Sequence, residues 1–170
     1  TTLGWELPPQ DNKIFSSQIE WISRTINYAK DRPSVKLNIR IHPSENKFKN
    51  NQKLGDVINS VYPSLPENVQ IIHSHEKVNS YALIEQSDLV LINTSTIGIE
   101  SAMLKVPTLV VGDIYYKNFG FTIDLDTSQH YDELIDNMLD GTLKHEPHRE
   151  NLLKMYIYRI MKEKPPYFEF

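Results

Sequence analysis

Two stretches late in the chain constrain the fold most: DLVLIN (Asp88–Asn93) and TLVVG (Thr108–Gly112). Both are apolar without alternation. A strand that reads apolar on both faces has to be covered on both, the condition of a strand inside a parallel sheet. Ile97–Leu104, between them, carries helical spacing and supplies the crossover that two parallel strands need. One strand–helix–strand unit is therefore written into Asp88–Gly112.

The rest of the chain continues that alternation. TTLGWEL sets Leu3, Trp5 and Leu7 against polar neighbours, a strand exposed on one face that Pro8-Pro9 ends. From Ser16 to Ala29, Ile19, Trp21-Ile22, Ile26 and Ala29 recur at helical spacing. Ser16 or Ser17 is the expected N-cap, with Glu20 placed to close a capping box on Ser17. Val35–His42 alternates as a strand, and Pro43 ends it. Lys47–Tyr62 reads as a polar-rich helix, Val69–His73 as a short strand and Asn79–Gln86 as a short helix. GFTIDL is a short strand or a loop, and Ser128–Leu139 is a helix stopped by Gly141. Arg149–Lys162 is the last helix, before the tail Pro165–Phe170. Strand and helix in turn predict an α/β fold over residues 1–170 as a single domain: a doubly wound, mainly parallel sheet with helices on both faces.

Right-handed crossovers put every strand-to-helix loop of such a sheet on one edge, where ligands bind. The residues to weigh are those just past each strand: His42-Pro43-Ser44-Glu45, His73–Glu76, Asn93–Thr96 and Gly112–Tyr116. The charge balance narrows the ligand. A net charge of −4 with no long basic block disfavours a nucleic-acid backbone. The absence of cysteine excludes disulfides, thiolate metal sites and a cysteine nucleophile, and fits a reducing, cytoplasmic location. No apolar run approaches the roughly 20 residues that span a bilayer.

Thr94-Ser95-Thr96 stands at the start of the Ile97–Leu104 helix, where free N–H groups favour an anion. A cap needs one such residue and three are present, so both a cap and a phosphate cradle are open; Gly98 lets a ligand or a neighbouring strand approach the backbone. Glu100, in the first turn, is either paired with the helix dipole or the acceptor for a ribose diol. Pro43 biases His42 towards an extended backbone, leaving a loop histidine or an imidazole that donates to a phosphate oxygen. Asp113, Tyr115 and Tyr116 line a pocket or serve packing. His73, His75 and Glu76 form a weak ligand pattern, and no metal is expected. GxSxG, Walker A and GxGxxG motifs are absent, which argues against hydrolase, P-loop and dinucleotide chemistry.

Taken together, the strand ending in His42-Pro43, the run SDLVLINTSTIGIESAMLKVPTLVVGD and the following YYKNFGFT resemble the nucleotide-binding half of GT-B glycosyltransferases. More narrowly they resemble capsule polysaccharide synthesis proteins, a group that includes transferases using CMP-Kdo. The likeness covers roughly Leu37–Asp124. It implies a Rossmann-like domain forming one half of a GT-B fold, cut from or paired with a larger two-domain protein. His42 would then contact the donor phosphate, with Pro43, Ser44 and Glu45 lining the same pocket. Thr94, Ser95 and Thr96 would hold the phosphate, Gly98 would give it room, Glu100 would take the ribose, and the loop from Asp113 would border the sugar.

The resemblance further implies a nucleotide-sugar as substrate, CMP-linked foremost, and no other cofactor. A glycan acceptor would be presented through an N-terminal domain that also supplies the general base, so the isolated chain is expected to be inactive. Peripheral association with a polysaccharide assembly complex at the inner face of the membrane belongs to the same expectation. Two differences stand out: Ser101 where relatives carry Ala, and YYKNFG where they carry a FYAGWG-like loop. Related chemistries on this fold are sugar-nucleotide epimerisation and polymer transfer from CDP-glycerol. A non-catalytic interaction module is the alternative of another class.

Overall fold

A computed structural model of the chain describes residues 14–43, 45, 53–143 and 147–163. The expected first strand (residues 1–7), the first part of the expected second helix (47–52) and the tail 165–170 lie outside the described residues. Backbone contacts group the chain into two units, residues 1–79 and 80–170. Among the described residues all strand pairing is parallel: a two-stranded sheet in the first unit and a three-stranded sheet in the second. Strands and helices alternate over residues 18–110; the strand at 123–124 then follows with no helix between, and two helices end the described chain. The fold is the mixed α/β architecture expected of a Rossmann-like half.

The first unit opens with helix α1, Gln18–Lys30, which buries Trp21, Ile22, Thr25, Ile26, Tyr28 and Ala29 on one face. Ser17 is its N-cap, and its hydroxyl accepts from the Glu20 amide at 3.1 Å. The Glu20 carboxylate returns to Ser16, whose amide and hydroxyl both donate to Oε2 at 2.6 Å. The two serines thus divide between them the task expected of one. Strand β1, Leu37–Arg40, pairs with β2, Val69–Ile72, in register Leu37↔Val69. The Asn68 amide locks the entry to β2, donating to the carbonyls of Ala29 and Val35, each at 2.7 Å, and of Arg32 at 3.2 Å.

Helix α2 is described from Leu54 to Val61. Lys53, expected inside the helix, is extended at φ −90° and ψ 140° and serves as its N-cap residue. The reason lies with Glu45, 3% exposed, whose Oε1 accepts from the Leu54 amide at 2.8 Å. A buried carboxylate placed on a first-turn N–H fixes the start of the helix there.

In the second unit α3 spans Ser80–Glu85, β3 Val90–Ile92, α4 Ile97–Met103 and β4 Thr108–Val110. Strand β5 is Ile123–Asp124, and a 3-10 turn at Ser128–His130 leads into α5, Tyr131–Leu139. Helix α6, Pro147–Glu163, starts two residues before the expected Arg149. Proline suits the first helical position, where no N–H is needed. The sheet order β3-β4-β5 puts the apolar strand β4 at the centre, its three residues all buried. Val110, Ala102, Tyr116, Phe121, Leu153 and Tyr156 form the adjoining core cluster.

Helix α4 ends in a Schellman arrangement, with the Lys105 amide donating to Ala102 and the Val106 amide to Ser101. Lys105 holds the left-handed position at φ 62°, where glycine is usual.

Candidate functional site

Because β3, β4 and β5 run parallel, their carboxyl ends share one edge. Asn93–Thr96 follow β3, and Gly112–Tyr116 follow β4 after Val111. These two exits touch. A Cβ on Gly112 would lie 2.5 Å from the Asn93 main-chain oxygen and 2.9 Å from its carbonyl carbon, so only glycine lets the two strand ends close up. The Val111 amide completes the junction by donating to Ile92 at 2.8 Å.

The three hydroxyls ahead of α4 have three different environments. Ser95 behaves as a local turn former, its Oγ accepting from the Ile97 amide at 3.3 Å. Thr96, the N-cap residue, is exposed, already helical in backbone, and makes no side-chain cap bond. Thr94 Oγ1 is buried and has no hydrogen-bond partner. A buried hydroxyl without a partner is costly, so this atom is the one in the segment that its own fold does not satisfy.

Tyr116 fastens the loop after β4 to the start of α4. Its ring is fully buried, its hydroxyl donates to the Ser95 carbonyl at 2.6 Å, and the Gly98 amide hydrogen-bonds to the same oxygen. A Cβ on Gly98 would fall 2.8 Å from Tyr116 Cζ and closer still to Oη. Glycine at this position therefore makes room for a tyrosine of the chain itself. Burial, followed by the neighbouring Tyr115 and Asp124, raises the Tyr116 pKa far above the usual phenol range, so the hydroxyl keeps its proton and remains a donor. The amides of Ile97, Gly98 and Ile99 take Ser95 Oγ, Tyr116 Oη with the Ser95 carbonyl, and the Thr96 carbonyl. The amides of this turn are thus taken up within the fold, whereas the Thr94 hydroxyl is buried without a partner and the Thr96 hydroxyl makes no cap bond.

Glu100 is half-buried in the first turn of α4 and sits between two exposed tyrosines. The Tyr81 hydroxyl, from α3, hydrogen-bonds to its carboxylate, and the negative charge there is the main reason the Tyr81 pKa is raised. Tyr115, exposed over part of its surface, is raised chiefly by the desolvation of the rest and then by Glu100. A carboxylate that already holds one hydroxyl is an acceptor suited to another. Asp113 is exposed at the start of the same loop.

Asp124 braces the far end of that loop, with Oδ2 accepting from the Asn118 amide at 2.7 Å and Oδ1 from the Thr122 hydroxyl at 2.8 Å. Asn118 and Gly120 take positive φ, 66° and 82°, which lets YYKNFG double back. Ser101 is fully buried, and its hydroxyl bonds back to the Ile97 carbonyl at 2.8 Å, so the extra oxygen is satisfied inside the helix.

The remaining expected residues belong to the first unit. His42 and Pro43 are exposed just past β1, and Ser44 lies outside the described residues. Glu45, expected to line the donor pocket, has its carboxylate on the α2 start, as described above. Past β2, the Glu76 Oε1 accepts from the His73 amide at 2.6 Å, and the His73 and His75 rings stack at 5.5 Å. Arg40 donates to the carbonyls of His73 and Glu76 at 2.6 and 3.3 Å. Of the expected set, the structure gathers Thr94, Ser95, Thr96, Gly98, Glu100 and Asp113 on one edge of the second unit. Sequence reasoning missed Tyr81, on a helix of its own, and it missed the contact that Tyr116 makes with α4, 21 residues back along the chain. An exposed aromatic on a short helix was the signal available for Tyr81.

Comparison with known proteins adds one result: the family described as capsule polysaccharide biosynthesis protein matches residues 12–155. No curated protein and no solved structure matches the chain.

Proposed function

As the chain belongs to the capsule polysaccharide biosynthesis protein family, its role lies in capsule synthesis, and we propose that it is the donor-binding domain of a capsular glycosyltransferase. The donor in this reading is a nucleotide-sugar, CMP-linked foremost, and the acceptor is a growing glycan held by a companion domain. The observation that carries the reading is the buried, unpartnered Thr94 Oγ1 just past β3, with Glu100 in the first turn of the helix that follows. Thr94 and Thr96 take the phosphate, and Glu100 takes the ribose diol in place of the Tyr81 hydroxyl.

Transfer breaks the bond between the anomeric carbon and the phosphate oxygen and forms one from the acceptor oxygen to the same carbon. The acceptor proton passes to a base supplied by the companion domain. The phosphate leaves with one more negative charge, and hydroxyl donors held in place at the helix start stabilise it as that charge develops.

Titration calorimetry with CMP, UDP and CDP tests the assignment. CMP is expected to bind most tightly, and Thr96→Ala is expected to weaken it without lowering the melting temperature, since Thr96 is exposed and makes no cap bond. Absence of binding to all three at millimolar concentration overturns the donor reading. A non-catalytic interaction module then remains, a reading favoured by the Tyr116 hydroxyl already standing on the Gly98 amide.

A further inference from the structure

Two adjacent tyrosines in the loop after β4 have opposite surroundings. Tyr116 is fully buried, and its hydroxyl donates to the Ser95 carbonyl at 2.6 Å. Tyr115 is 57% exposed. Its ring nevertheless stands edge to face against Tyr116, with centroids 5.4 Å apart and planes at 87°. That is the favoured geometry of an aromatic pair, and it holds the outer ring in place. Tyr116 is itself fastened to the turn before α4. Tyr115 is therefore an aromatic surface fixed on one side and more than half open to solvent. It stands on the edge of the sheet that carries Thr94, Thr96 and Glu100.

We propose, resting on the donor-binding reading above, that Tyr115 is the platform on which the nucleobase of the donor stacks. Thr96, at φ −62° and ψ −19°, already has helical backbone. Four residues separate it from Glu100, so the hydroxyl given to the phosphate and the carboxylate given to the diol lie about 6 Å apart along the helix axis. In a nucleotide the base leaves the ribose at the carbon next to the diol, on the side away from the phosphate. The base therefore emerges beside Glu100, where Tyr81 and Tyr115 flank the carboxylate. Tyr81 has to give way, because its hydroxyl occupies the carboxylate that the diol takes. Tyr115 keeps its position, because its ring rests on Tyr116. A ring already in place receives a base with little further cost of ordering. Base–aromatic stacking accepts any base, so Tyr115 separates a nucleotide from a sugar phosphate but not cytosine from uracil.

Calorimetry of the 170-residue chain with CMP and with ribose 5-phosphate tests the proposal. The second ligand keeps a phosphate and the diol and lacks the base. CMP is expected to bind about tenfold more tightly, and Tyr115→Ala is expected to remove that difference by weakening CMP alone. Tyr115→Phe keeps the ring and is expected to bind CMP as the wild type does. As a second measurement, the emission of Tyr115→Trp is expected to be quenched by CMP and left unchanged by ribose 5-phosphate. The melting temperature of each variant checks that the fold is kept. Equal affinity of the wild type for the two ligands overturns the platform and leaves the donor site standing. So does an equal loss of both ligands in Tyr115→Ala, or a loss of CMP in Tyr115→Phe as large as in Tyr115→Ala. Binding of neither ligand at millimolar concentration overturns the donor reading itself, and the platform with it.

Discussion

Helices α1 and α4 start with the same residue types and use them in opposite ways. Each has hydroxyl residues at its N-terminus and a glutamate in the first turn. In α1 the circuit closes on itself: Ser17 takes the Glu20 amide, and the Glu20 carboxylate takes both donors of Ser16. In α4 the circuit stays open. Thr96 makes no cap bond, Thr94 Oγ1 has no partner, and Glu100 binds Tyr81 of another helix. A satisfied cap accounts for its own residues as structure. In the donor-binding reading proposed above, an unsatisfied one leaves groups for a ligand, at the carboxyl edge of a parallel sheet where ligands of such folds bind.

The contrast can be broken at either helix. Gly98→Ala drives a methyl group into the buried Tyr116 and should cost about 1–3 kcal/mol in chemical denaturation, the largest of these effects. Recovery of full stability would mean that the loop after β4 is not fastened to α4 through this tyrosine. Ser17→Ala should cost about 1 kcal/mol, because it removes the hydroxyl that accepts from the Glu20 amide. The equivalent change at Thr96, which makes no cap bond, should cost little, and equal losses at both positions would erase the distinction.

The smallest effect is one of pH. Hydrogen bonds from the Ser16 hydroxyl and amide hold the Glu20 carboxyl below its usual range. Its contribution is therefore present above the unfolded pKa and is lost as pH falls below that value and through the lower folded one. Unfolding curves of the wild type and Glu20→Gln should converge on acidification. A difference that persists at low pH would place the effect elsewhere than in the carboxylate.

Much of the architecture is legible in local pattern. The apolar runs at Asp88–Asn93 and Thr108–Gly112 carry β3 and β4, although hydrogen-bonded pairing trims each to three residues. Periodicity and Ser17 place α1 to within two residues at its start and one at its end. What stays hidden acts over distance or against propensity. Glu45 caps α2 from nine residues away. Tyr116 reaches back to the Ser95 carbonyl from the loop after β4. Lys105 holds a left-handed position without the glycine or asparagine that would announce it. Three hydroxyl residues in a row show in the sequence that more is present than a cap needs. Which of them is left over is decided by burial, a tertiary property that composition does not encode.

Thr94→Val, which keeps the side-chain shape and removes only the unpartnered oxygen, tests the central claim most directly. Removing an orphaned buried hydroxyl should leave unfolding stability unchanged or raise it by up to about 1 kcal/mol. The same substitution should weaken CMP binding about tenfold in calorimetry, equivalent to about 1.4 kcal/mol. A variant that loses stability yet binds CMP as tightly as the wild type would contradict the account, because Thr94 would then serve the fold and not the ligand.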